Sequence, residues 1–181
     1  MNKRSTKEQQ AAGFTLIELL IVIVIIGILA TLSTLYLISS RRAANGASAV
    51  ESMRVIFQAQ ASYSAGVGNQ NYGDGRDLFR QEFIDSSLAA ACSPGPTSGE
   101  TSVGNDYVAI SPQPKSGFNF IFTVTPASGG TAASFRVLGR PFVDAGVSRS
   151  GDRTFYIDTT GVLRVSNGPD VPANLSSPAL D

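Results

Sequence analysis

Residues 16–38 constrain this chain more than any other stretch. They are apolar apart from Glu18 and, from residue 19 on, Gly27, Ala30, Thr31, Ser33, Thr34 and Tyr36. At about 1.5 Å of rise per residue the run makes a helix of roughly 34 Å, longer than a bilayer's hydrocarbon core of about 30 Å. Glu18 is the cost. An isolated carboxylate in that setting costs on the order of 3 kcal/mol, so it needs a partner or a route to the headgroups. Its place near the helix start suits an acid, and a long side chain there can snorkel. Ahead of the run, residues 1–13 carry Lys3, Arg4 and Lys7 against Glu8. A positive segment before an apolar core reads as an export signal whose N-terminal end stays cytoplasmic. A small-residue cleavage site behind the run is not evident. The best-marked junction, Ala11-Ala12-Gly13 followed by Phe14, lies in front of it. Gly13 lets an extended backbone enter a peptidase cleft without a side chain in the way.

Gly13-Phe14-Thr15-Leu16-Ile17-Glu18-Leu19-Leu20 resembles the processing site of type IV pilins and of the related type II secretion pseudopilins. The resemblance implies cleavage between Gly13 and Phe14 by a membrane prepilin peptidase and N-methylation of Phe14 by the same enzyme. Residues 14–38 then remain as the transmembrane and filament-core helix, and Glu18 meets a neighbouring subunit's N-terminal ammonium. In low dielectric that attraction is far stronger than in water, and pairing offsets a desolvation that neither charge bears well alone. Phe14, Glu18 and Gly27 are the expected assembly residues. Gly27, with Ile23, Ile26 and Ala30 close by, either lets another helix approach or is a glycine tolerated in a membrane helix. Many relatives have a proline at the place of Leu35. This chain has Ser33-Thr34-Leu35, whose hydroxyls can still bend a helix by back-bonding.

Cleavage after residue 13 of 181 leaves 168 residues. Without the membrane run about 140 remain, enough for one small domain with its own core. The mature chain has 11 bases and 13 acids, with no basic block outside the leader that would mark a nucleic-acid footprint. Histidine is absent and Cys92 is the single cysteine, which removes a zinc cluster and an internal disulfide. Packing alone must hold the fold. Beside Ser93-Pro94-Gly95-Pro96, Cys92 reads as a lightly buried free thiol in a loop, with intermolecular pairing as the alternative. Ser86-Ser87 and Thr159-Thr160 have no histidine to activate them, and Gly129-Gly130 lacks a phosphate-loop context. Neither an enzyme nor a cofactor is expected. The resemblance raises one metal question, because major pseudopilins can bind calcium in a late loop. Asp144, Asp152 and Asp158 lack the spacing of a helix-hand calcium loop and read as solvated loop acids, so no metal site is assigned.

Past Ser39-Ser40-Arg41-Arg42, apolar residues recur at helical spacing: Ala43, Ala47, Val50, Met53, Phe57 and Ala61, widened by Ile56, Gln60 and Tyr63. Arg41, Asn45, Ser48, Ser52 and Gln58 fall on the other side. Gly46 weakens the helix by up to about 1 kcal/mol. One helix is expected over about 14–64, roughly 77 Å of rise, until the glycines and asparagines of 66–75 end it. A short helix over 77–85 follows, extended by 86–91, with Phe79, Phe83 and Ile84 toward the core. Residues 93–106 read as a flexible connection. Residues 107–110 read either as a short strand or as an irregular approach, and strands are expected at 118–125, with Phe118, Phe120, Phe122 and Val124 on one face, and at 133–139. Residues 140–151 form a loop. The pair 154–158 and 162–166 makes a hairpin around Thr159-Thr160-Gly161, and its sequence resembles the last hairpin of pilin-like heads. Strands this close in sequence pair antiparallel, giving a meander of three or four strands on helix 43–64. The fold class is α+β, and by resemblance the pilin fold. The organisation is a leader at 1–13, a membrane and filament helix at 14–38, a periplasmic or extracellular head at 39–166 built on helix 39–64, and a loosely ordered tail at 167–181.

Three functions fit these features. A structural subunit of a type IV pilus explains leader, Glu18, helix and head together. Its partners are then itself, the prepilin peptidase/N-methyltransferase, an inner-membrane assembly platform, minor pilins, and the lipid bilayer before assembly. It would start as a single-pass inner-membrane protein and end in a surface filament. A pseudopilin driving protein export has the same plan in a periplasm-spanning filament. A membrane-tethered binding module needs the helix only as an anchor, and requires neither the junction before Phe14 nor the acid at Glu18.

Overall fold

A computed structural model of the protein describes residues 13–93, 113–169 and 172–180. Two compact units meet between Ser39 and Ser40. Helix α1, Leu16–Ala65, runs through both. It starts two residues after the expected Phe14 and ends one after Ser64. Its backbone is helical through Ser33-Thr34-Leu35, as the absence of a proline allows.

From Leu16 on, the first unit is helix, and its apolar side chains stand exposed among the described residues. Its large side chains between Leu16 and Leu29 range from 46% exposed at Val22 to 90% at Leu16. Burying one such side chain is worth about 1.5–3 kcal/mol, so covering the dozen here outweighs the cost of Glu18 several times over. A helix of this length and composition can cross a membrane.

In the second unit a five-stranded sheet lies against α1. After α1 come α2 (Gly75–Arg80) and α3 (Ser86–Ala90), then β1 (Cys92–Ser93), β2 (Phe118–Thr125), β3 (Ser134–Pro141), β4 (Arg153–Asp158) and β5 (Arg164–Asn167). The strands lie side by side in chain order. β2 to β5 are antiparallel neighbours, with Phe118 opposite Pro141 and Gly139 opposite Phe155. Alternation along β2 puts Phe118, Phe120 and Phe122 into the core. They join Phe135, Val137, Phe155 and Ile157 from the next two strands, Met53 and Ile56 from α1, and Leu78 and Leu88 from the short helices.

Several expectations change. The meander gains β1, which pairs parallel with β2 through Cys92 and Phe120. Two residues give too little alternation to be read as a strand. Residues 94–112, including the stretch at 107–110 and most of the connection at 93–106, lie outside the described residues. The helix expected over 77–85, with its extension over 86–91, is two separate helices, α2 and α3. Glu82 adopts a left-handed φ of 58°. The N–H groups of Glu82 and Phe83 close onto the carbonyls of Phe79 and Leu78 at 2.9 and 3.0 Å, a helix-ending motif usually announced by glycine. Phe79 and Ile84 are buried as expected, whereas Phe83 is half-buried.

The inner face of α1 is also rotated from the expected stripe. Ala49, Ser52, Met53, Ile56, Ala59 and Gln60 are buried, while Ala43, Ala47 and Ala61 are exposed. Asn45, Ser48 and Ser52, assigned to the outer side, instead face the head. Asn45 Nδ2 donates to Ser150 O at 2.8 Å, and Ser48 Oγ to Ser116 Oγ at 2.9 Å. Hydrogen bonding to loops placed them there, which apolar periodicity does not register.

The C-terminal segment, expected to be loosely ordered, is tied to the sheet over residues 172–180. Val165 N–H donates to Pro178 O at 2.9 Å and Leu180 N–H to Leu163 O at 2.8 Å. Ala173 is buried and donates its N–H to Thr154 Oγ1 at 2.9 Å. The segment covers the free edge of β5, which would otherwise invite pairing with another chain.

Candidate functional site

The residues around the expected junction precede α1. Gly13, Phe14 and Thr15 are non-helical and exposed, with Phe14 84% open. A Cβ added at Gly13 meets nothing within 4 Å. Thr15 then starts the helix. Its Oγ1 accepts the Glu18 N–H at 3.2 Å, and Glu18 Oε2 accepts the Thr15 N–H at 3.4 Å. The Thr15 hydroxyl is also 3.4 Å from Oε2. This reciprocal pair is a capping box, in which two backbone donors without intrahelical partners are satisfied by side chains. It turns the carboxylate back toward the chain's N-terminal end. Thr15 was not singled out from the sequence, although Thr15-Leu16-Ile17-Glu18 has the signature of a hydroxyl residue three positions before an acid.

Gly27 sits nine residues beyond Glu18. At 3.6 residues per turn that is about 14 Å along the helix and about half a turn around it, so the two lie on opposite faces. A Cβ at Gly27 would also meet nothing within 4 Å. Thr15 and Glu18 are thus brought together, whereas Gly27 is a separate small spot on exposed helix.

In the head, the three aspartates weighed for calcium do other work. Asp144 pairs with Arg140 at 3.4 Å. Asp152 pairs with Arg149 at 2.6 Å, and Arg42 approaches it at 3.8 Å. Asp158 closes the β4–β5 turn, taking the Thr160 N–H at 2.9 Å and its hydroxyl at 2.5 Å. The same turn needs Gly161, whose φ is +75° and where a Cβ would stand 2.8 Å from the Phe57 ring. No cluster of metal-ligating side chains is found among the described residues.

Cys92, expected in a loop, is buried in β1 and donates its Sγ–H to Leu88 O at 3.2 Å. Burial, with the nearby Asp74 charge adding to it, pushes the thiol far above its usual range. On the sheet face away from α1, a shallow cavity of about 300 Å³ is lined by Thr123, Ser134, Arg136, Tyr156, Asp158 and Leu175. Burial raises the Tyr156 phenol above its ordinary value, and the Asp158 charge adds to that. It is therefore a neutral phenol near pH 7. The cavity offers hydroxyls and one charge of each sign, but no histidine base, since the chain has none.

Residues 9–34 match the family described as the prokaryotic N-terminal methylation motif. No curated protein and no solved structure matches the chain. The motif points to a structural subunit rather than an enzyme, one processed by a prepilin peptidase and assembled into filaments. The long helix followed by a mostly antiparallel sheet is an α+β arrangement consistent with the pilin fold. At its N-terminus this chain carries the prepilin-type motif of type IV pilins and pseudopilins.

Proposed function

We propose that this chain is a structural subunit of a type IV pilus or a related filament. It is cleaved after Gly13, methylated at Phe14, held in the inner membrane by residues 14–38, and polymerised through α1. The supporting observation is the methylation motif opening an exposed apolar helix whose single carboxylate is capped toward the N-terminal end. Thr15 engages Oε2 weakly, at 3.4 Å, so the carboxylate keeps accepting capacity for a stronger, charged donor. A neighbour's N-terminal ammonium is that donor. Before assembly Glu18 reaches the headgroups. After assembly the ion pair satisfies it inside an apolar bundle, and Gly27 gives a neighbouring helix room on the opposite face.

Glu18→Ala keeps the apolar run and removes the acceptor. The expected result is a subunit that is still cleaved and membrane-held but is at least about tenfold depleted from filaments, measured by immunoblot of the filament fraction against the membrane fraction; a pairing worth only about 1.4 kcal/mol suffices for that. Incorporation at the level of the unmodified chain refutes the pairing. The pseudopilin reading draws on α1 running through Ser33-Thr34-Leu35 without a proline. In that case deleting the protein stops export of secreted enzymes and leaves surface filaments intact.

A further inference from the structure

Of the eight asparagines in the chain, Asn174 alone is followed two residues on by a serine or threonine with no proline between, in Asn174-Leu175-Ser176. That triplet is the acceptor pattern for an N-linked sugar, and it recurs by chance often enough that the pattern alone assigns nothing. The fold supplies the deciding observations. All three residues are exposed. They lie in a tight turn closed by Ser177 N–H, which donates to Asn174 O at 3.0 Å. The turn is fastened on both sides. Before it, buried Ala173 donates its N–H to Thr154 Oγ1. After it, Arg164 Nη1 donates to Ser177 O at 3.0 Å, and Val165 N–H to Pro178 O at 2.9 Å. The triplet is therefore a fixed turn on the surface of the head.

The groups that this turn engages, and those that it leaves free, fit sugar attachment. Asn174 Oδ1 accepts the Ser176 N–H at 2.9 Å, an Asx turn that holds the carboxamide against the serine two residues on. Asn174 N–H donates to Ser177 Oγ at 3.0 Å. Asn174 Nδ2 and Ser176 Oγ make no hydrogen bond among the described residues. The nitrogen that would take a sugar and the hydroxyl that a transferase reads are thus both open, in one turn whose backbone bonds do not need them. The adjoining surface is polar. Leu175 lines the shallow cavity together with Thr123, Ser134 and Arg136, so hydroxyls and a guanidinium border the turn. A bulky, hydrated group suits such a surface and displaces nothing from the core.

We propose that Asn174 carries an N-linked glycan. The donor is a glycosyl diphosphate. Nδ2 bonds to the anomeric carbon, and the bond from that carbon to the diphosphate oxygen breaks with its electron pair on the diphosphate. One Nδ2 proton passes to a base of the transferase. The inference rests on reading the head as the exported part of the subunit.

The test is peptide mass spectrometry of the full-length subunit recovered from its own cells. The expected result is a peptide spanning residue 174 that is heavier by one or more sugar residues, with fragment ions placing them on Asn174. Asn174→Gln and Ser176→Ala are each expected to abolish the gain, and Ser176→Thr to retain it. The Ser176 hydroxyl holds nothing among the described residues, so Ser176→Ala leaves the turn in place. A sugar on Ser176 or Ser177, or one that survives Ser176→Ala, overturns the assignment. The N-terminal peptide is read from the same sample. Asn174 unmodified on a chain that begins at Phe14 overturns the glycan and leaves the filament reading standing. An unmodified chain that retains residues 1–13 overturns both.

Discussion

Gln60 is fully buried on α1 and is satisfied at both ends of its amide. Nε2 donates to Gly73 O at 2.5 Å, and Oε1 accepts Gly73 N–H at 3.0 Å. It clamps the glycine-rich turn to the helix by recognising a backbone unit. Gln60→Leu keeps much of the volume but strands both Gly73 groups, so a loss of about 2–4 kcal/mol is expected in urea unfolding. A loss under about 0.5 kcal/mol would show the clamp to be dispensable. From the sequence Gln60 was read only as widening an apolar stripe, because a buried amide shows its purpose only when its partner is in place. Cys92 makes the opposite point. The proline-rich stretch after it suggested a loop thiol, yet the side chain is buried and bonded to Leu88 O. With its pKa pushed up by burial, the thiol stays protonated at pH 8. Alkylation of the native protein should then be at least ~100-fold slower than in urea. Equal rates would contradict the burial and reopen pairing between subunits.

Among the elements, the strong strands were the most legible. β2 falls at the expected residues, and β3, β4 and β5 within two of their expected ends, because alternation over a sheet with one buried face has a single consistent reading. The extent of α1 was legible for the same reason, but not its inner face, where small and polar residues lie against the head. The short helices were blurred together because their limits are set by caps. Asp74 caps α2 in a box with Asp77. Asp85 caps α3 by accepting Leu88 N–H at 2.6 Å, and Lys115 pairs with it at 3.2 Å. Burial alone would raise the Asp85 carboxyl, but these bonds outweigh it and hold it below its ordinary value. A depressed carboxylate stabilises fully above its unfolded value, about pH 4, and loses that contribution as pH falls through the lower folded value. Asp85→Ala should therefore cost about 1 kcal/mol at pH 7 and progressively less below pH ~4. A cost that does not change with pH would mean the carboxylate's charge takes no part in the cap.

For the whole molecule, the division at Ser39 separates two ways of satisfying apolar surface. Among the described residues the head buries a core of its own, with five strands, three helices and a C-terminal segment closing one edge. The large side chains from Leu16 to Leu29 stay open, and in the proposed function lipid or other copies cover them. The boundary was readable because it coincides with a change in hydropathy and with Arg41-Arg42. The loop that Arg42 holds was not, since its guanidinium meets Val147 O only through a fold that joins positions more than a hundred residues apart. The central claim, that this helix serves first as anchor and then as filament core, turns on the chain's first residue. The direct measurement is the N-terminal sequence and intact mass of the subunit in filaments recovered from cells. The expected result is a chain that lacks residues 1–13 and begins with N-methylated Phe14. Filaments containing the chain with Met1 and an intact leader would contradict it.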